Sequence, residues 1–218
     1  MNDEASGPSL AGTGIWEMAL RYGDSARAAD SAAEIEALGY TAVWITDTGG
    51  DLFGAMANLL GSTRSLTVAS GILNIWMQDA AESAERYHQL VTDHGSRVLV
   101  GLGVSHAPLI DRVLDSGMFR KPLAKIAAYL DAMDTAAPAL PVEDRILAAL
   151  GTKMLELARD RTAGAHPYLV SDETAISARV KEHRDAGADH VCVQVLTDRD
   201  DLETVPLEQW RRLAAALV

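Results

Sequence analysis

Short apolar runs alternate along this chain with longer segments whose apolar residues recur every three or four positions. The runs are Gly14–Trp16, Ala42–Thr46, Leu66–Ser70, Val98–Leu102, Arg145–Leu150, Gly164–Val170 and His190–Leu196. Their length and their near-continuous apolar character predict buried strands. The segments 24–38, 52–62, 78–92, 121–136, 152–160, 173–186 and 207–217 predict helices. Strand and helix alternate throughout, which predicts a parallel sheet with right-handed crossovers. Two helix-to-strand joints are near-copies, EIEALGYTAVWI and EHRDAGADHVCVQV. Each carries a glycine, Gly39 or Gly187, where a helix stops in the left-handed conformation.

The pattern is α/β and resembles a TIM barrel, a (β/α) barrel, but the count is seven strands where a complete barrel has eight. One β/α unit is missing between Tyr168 and His190. The crossing segment 171–189 is long enough for one ordinary crossover helix. The expectation is that the GAHPYLV strand pairs directly with HVCVQVL, giving a closed or nearly closed barrel of seven. No linker interrupts the series, so residues 13–218 read as one domain. Residues 1–12, acidic and polar at the start, read as a flexible tail.

Composition narrows the classes. The 218 residues are 48% hydrophobic and 23% charged, with a net charge of −12. Such acidity argues against nucleic acid, whose phosphates need basic patches. No apolar stretch approaches a spanning helix, and the start is not a signal peptide, so a cytoplasmic protein without a membrane partner is expected. The single cysteine, Cys192, reads as a small residue on a strand.

Candidate chemistry gathers at the C-terminal ends of the strands, where barrels of this kind place ligands. The first strand is followed by Glu17. The second is followed by Asp47, Thr48 and a Gly49-Gly50 pair. Asp47 or Asp51 reads equally as a polar contact or a helix cap. The third strand runs into Ser70-Gly71-Ile72-Leu73-Asn74-Ile75-Trp76, where glycine allows close approach of a flat ligand or marks a bulge. The fourth, VLVGLGVSHAP, ends in Gly103, Val104, Ser105 and His106. His106 reads as a structural hydrogen-bonder or as a group that exchanges a proton. After the fifth strand, Gly151, Thr152 and Lys153 open a helix and read as an anion site or as a solvated first turn. The sixth carries His166 before a proline. No His, Cys, Asp or Glu cluster has metal-ligand spacing, so no metal is expected.

The words EIEALGYTAVWI, VASGILNIW, VLVGLGVSHAPLI, KPLAKIAAYLDAMD, ILAALGTKMLELARDRTAGAHPYLV and AGADHVCVQVL together resemble the bacterial luciferase-like monooxygenase superfamily. Within it they resemble the oxidoreductases dependent on coenzyme F-420, a deazaflavin. The resemblance implies a barrel that binds a deazaflavin ring, or alternatively FMN, at the strand mouth. It implies a bulge with a non-proline cis peptide at Gly71-Ile72 backing the ring. Ring-contacting stretches carry onto Asp47, Ser70, Gly71 and Ile72 with Asn74 beyond them, and onto Gly103, Val104, Ser105 and His106. Cofactor phosphate carries onto Gly151, Thr152 and Lys153, with His166 on the neighbouring strand. His106 and Asp47 are expected nearest the ring, as catalytic side chains.

The chain departs from these relatives by lacking a long segment after PYLV. The function expected is hydride transfer between the deazaflavin and a small organic substrate. The alternatives are a non-catalytic flavin or ligand binder of the same fold, and a structural dimer. Superfamily members pair through helices after the second and third strands. FGAMANLLGS here is rich in Ala, Met and Leu, so a homodimer through Met56, Leu59 and Leu60 is expected.

Overall fold

The computed structural model describes residues 10–114, 119–166, 176–185, 187–196 and 203–218. Seven strands form one sheet: β1 (Gly12–Trp16), β2 (Ala42–Ile45), β3 (Thr67–Asn74), β4 (Val98–Gly103), β5 (Arg145–Ala148), β6 (Gly164–His166) and β7 (His190–Val193). Every pairing in it is parallel. The helices are α1 (Ala19–Tyr22), α2 (Ser25–Ala37), α3 (Leu52–Ser62), α4 (Ala80–His94), α5 (Ala107–Leu114), α6 (Pro122–Thr135), α7 (Thr152–Arg161), α8 (Ile176–Asp185) and α9 (Leu207–Leu217). All seven expected strands are present. Most of the expected tail, residues 1–9, lies outside the described residues. Residues 10–12 are packed: Gly12 begins β1, and Leu10 sits against the inner face of the sheet.

Local chemistry sets the helix starts. Asp24, Asp51 and Asp79 each turn a carboxylate onto a free N–H of the first turn of α2, α3 and α4. Asp51 is therefore a cap. Gly39 and Gly187 adopt φ of +92° and +98° just past α2 and α8, as their sequence context predicts.

Alternation along the strands sorts side chains into two layers. The outer layer, Val43, Ile45, Val68, Val100, Leu102 and Leu147, packs against Ile35 of α2, Met56 and Leu59 of α3, Leu90 of α4 and Leu130 of α6. Each such residue contributes roughly 1.5–3 kcal/mol by leaving water. Met56, Leu59 and Leu60 are fully buried within the single chain. The apolarity of α3 is thus answered by the chain's own core, and carries no information about a second copy. The inner layer is smaller: Ala42, Trp44, Ala69, Leu99 and Ile146, with Trp16 and Cys192 against it.

The strand order is β6-β5-β4-β3-β2-β1-β7. β7 pairs with β1, β6 pairs with β5, and the two end strands form no ladder with each other among the described residues. The expected closure between residues 165–170 and 190–195 is therefore not found there; residues 167–170 of that expectation lie outside the described residues. The lumen holds the Trp44 indole with two imidazoles, His166 and His190, around it. Among the described residues the sheet is a half-barrel of seven parallel strands.

Candidate functional site at the strand mouth

The mouth is organised by an irregularity in β3. Its pairing with β4 runs regularly to Ser70↔Val100, then resumes at Leu73↔Leu102. The break holds the Gly71-Ile72 peptide, which is cis. Ser70 is fully buried, and its hydroxyl donates to the Gly101 carbonyl at 2.9 Å. The surrounding glycines make room. A Cβ on Gly101 would lie 2.1 Å from the Ser70 carbonyl oxygen, and one on Gly71 would lie 2.9 Å from the Trp16 indole. A Cβ on Gly103 would meet Ile72 at 2.8 Å. The Ile72 side chain therefore lies over Gly103 at the rim, half-buried.

Two indoles clamp the rim. Trp16, at the end of β1, donates its N–H to the Gly71 carbonyl. Trp76 donates to the Val104 carbonyl at 2.8 Å and has the Lys125 ammonium over its ring at 5.7 Å. Below them the Trp44 ring crosses the lumen and stacks on His166, with centroids 4.9 Å apart and planes at 27°. Trp44 also donates from Nε1 to His190 Nε2 at 3.3 Å. An indole can only donate, so this nitrogen accepts and the neutral imidazole carries its proton on Nδ1. Burial pushes the His190 pKa down to about 4, against an opposing pull from the Ala11 backbone. Burial likewise lowers His166. The floor of the mouth is therefore aromatic and uncharged. Burial pushes the Cys192 thiol up, which removes it as a nucleophile.

The sequence-expected residues divide into four groups. Ser70, Gly71, Ile72, Gly103 and His166 meet around this floor. Val104 and Ser105 continue β4 at the rim, with Ser105 in the left-handed region at φ +56°. His106 is exposed beside them, and its carbonyl accepts from Leu109 and Ile110 at the start of α5. Asp47 does something else. Its carboxylate, 2% exposed, accepts from Gly49 N, Asn74 N and Gln78 Nε2 at 3.1–3.2 Å. It ties the loop after β2 to the end of β3, and acts on the mouth by holding that loop. Asn74 is fully buried and accepts from Trp76 N through Oδ1, while its Nδ2 has no partner among the described residues. Gly151, Thr152 and Lys153 are exposed at the N-terminus of α7, which has no side-chain cap. Its first N–H groups are free for an anion. Trp16 went unnoticed in the sequence, where it reads only as the last residue of an apolar run.

Two surface grooves lie between helices, one lined by Gln78, Lys125 and Tyr129, the other by Arg21, Asp51 and Asn58. Neither is lined by Trp16, Gly71, Gly103 or His166. Among the described residues no three His, Cys, Asp or Glu side chains are placed to hold a metal, and no helix is long and apolar enough to cross a membrane.

The family model for luciferase-like monooxygenases matches residues 9–192. The chain belongs to the luciferase-like monooxygenase family. No curated protein matches it by sequence. Its fold is shared with the coenzyme F-420 dependent tetrahydromethanopterin reductase of Methanopyrus kandleri, at 15% identity and a TM-score of 0.60. That match covers 85% of this chain and 65% of the reductase, so this family member spans about two thirds of the reductase's length. An F-420-dependent secondary alcohol dehydrogenase is similar at 16% identity and a TM-score of 0.62, over 84% of this chain and 68% of the dehydrogenase. A monooxygenase of Streptomyces bottropensis is similar at 11% identity and a TM-score of 0.54, over 94% of this chain and 97% of its own.

The mouth fits a flat ring system in three respects. Its wall is close-packed, with Trp16 against Gly71 and Ile72 against Gly103, its floor is an uncharged aromatic stack, and the orphaned Asn74 amide leaves a donor without a partner among the described residues.

Proposed function

We propose that this luciferase-like chain is an oxidoreductase that holds a flavin-type ring at the strand mouth, coenzyme F-420 first and FMN as the alternative. The observation that carries the reading is the break in β3 that sets Ile72 over Gly103, above the Trp44–His166 stack. When bound, such a ring accepts or gives a hydride. Gly71, Ile72 and Gly103 would lie against its face. Gly151, Thr152 and Lys153 would hold the phosphate of the cofactor tail on the α7 N-terminus. The apolar rim of Ile72, Val104 and Trp16 would exclude water from the reacting face. His106, exposed at the rim, is the side chain free to give or take a proton from a small organic substrate. Asp47, within its three hydrogen bonds, positions the loop.

A second reading, a binder that has kept the fold without turnover, is favoured by the absence of a ladder between β6 and β7 among the described residues. The Streptomyces bottropensis protein, a monooxygenase that this chain covers almost end to end, supports the catalytic reading. The test is a visible spectrum of the purified protein after each cofactor is added and the excess removed. A retained band near about 420 nm marks the deazaflavin and one near about 450 nm marks FMN. A colourless protein in both cases overturns the proposal. A retained cofactor that no reductant or substrate turns over selects the second reading.

A further inference from the structure

The Trp16 indole is placed unlike any other large side chain of the mouth. It ends β1, two strands away from β3, yet its N–H reaches across β2 to the carbonyl of Gly71. Its ring lies so close to Gly71 that a Cβ there would be 2.9 Å from both Cδ1 and Nε1. The indole is only half-buried, so part of it faces the mouth. The Gly71 carbonyl belongs to the segment where β3 leaves its ladder, between Ser70 and Leu73. A carbonyl without a ladder partner needs another donor when buried, and Trp16 supplies it.

We propose that Trp16 is a positioning residue of this mouth: its N–H fixes the Gly71 carbonyl, and so fixes the backbone face on which a flavin-type ring rests. The inference rests on the proposed function. Trp16 is the β1-side jaw, as Trp76, bound to the Val104 carbonyl, is the β4-side jaw. A ring resting on Gly71-Ile72 meets a surface held from both sides. The indole already occupies one lone pair of the Gly71 carbonyl, and contact of the ring with this segment is mainly by shape.

The test compares wild type with Trp16→Phe, which keeps an aromatic wall without the N–H, and with Trp16→Ala, which removes both. Hydrogen exchange of the Ile72 to Asn74 amides is read without cofactor, and FMN and F-420 affinities are read by titration. The expected results are faster exchange confined to that segment in Trp16→Phe, an unchanged melting temperature, and cofactor binding weaker by about tenfold, the size of one lost hydrogen bond. Further weakening is expected in Trp16→Ala. If Trp16→Phe exchanges and binds as wild type does, the hydrogen bond positions nothing and the proposal falls. If wild type binds neither cofactor, the functional reading fails. The exchange measurement then still decides whether Trp16 holds the Gly71 segment.

Discussion

The continuous arc from β1 to β5 and the gap between β6 and β7 solve the same problem differently. Along the arc, backbone pairs with backbone, and many inner positions are small, Gly14, Ala42, Ala69, Gly101 and Gly103 among them. Small residues let an indole lie against the strands, and a Cβ added at Gly101 would lie 3.5 Å from the Trp44 ring. Across the gap no ladder joins the described strands, and the space is taken by His166 and His190 around Trp44. The comparison teaches that this half-barrel is held on one side by backbone hydrogen bonds. On the other it is held by one tryptophan with a neutral imidazole on each side.

The most severe way to break that account is to remove Trp44. Trp44→Ala should cost about 3–5 kcal/mol, because the lumen loses its largest buried side chain and both histidines lose their contact. Urea unfolding measures this, and a loss under 1 kcal/mol would show that the gap has another support. On the arc side, Gly101→Ala sets a methyl against the Ser70 carbonyl, where neither backbone can yield cheaply. It should cost about 1–3 kcal/mol. Gly151→Ala, with nothing within 4 Å of the added carbon, should cost far less in the same assay.

The gap should also betray itself by pH. With the His190 pKa held at about 4 by burial, the unfolded chain binds a proton between about pH 6.5 and 4 that the folded chain refuses. The stability from this neutral ring is complete above pH 6.5 and is lost as pH falls toward 4. His166 adds in the same direction. An NMR titration should find the His190 ring neutral at pH 5.5, and a midpoint near 6.5 would contradict the buried, indole-bound state. The smallest expected effect is Lys153→Ala, outside the lumen. It should weaken cofactor binding by about 1–2 kcal/mol, and less as salt rises. Thermal stability should not change.

Much of this was legible in the chain. Parallel strands buried on both faces leave unbroken apolar runs, so all seven could be found, as could Gly39 and Gly187 at the helix ends. The α5 helix was missed because Pro108 looks like a loop residue, although a proline fits a first turn, where its N–H is not needed. The open gap was not legible, because strand pairing does not record which side chains must share the lumen. Nor was the fate of Asp47. A carboxylate at a strand end looks the same whether it faces a ligand or, as here, three protein donors. Trp16 and Trp44 act through contacts distant in sequence, with Gly71, His166 and His190, and no local pattern carries them.

The central claim is that a flavin-type ring rests on the Gly71-Ile72 segment above the Trp44–His166 stack. A crystal structure of the protein grown with F-420 or FMN tests it most directly. The ring should lie against Gly71 and Ile72, with Trp16 at one side and its phosphate at the N-terminus of α7. A ring held elsewhere on the chain, with the mouth left to solvent, would contradict the account.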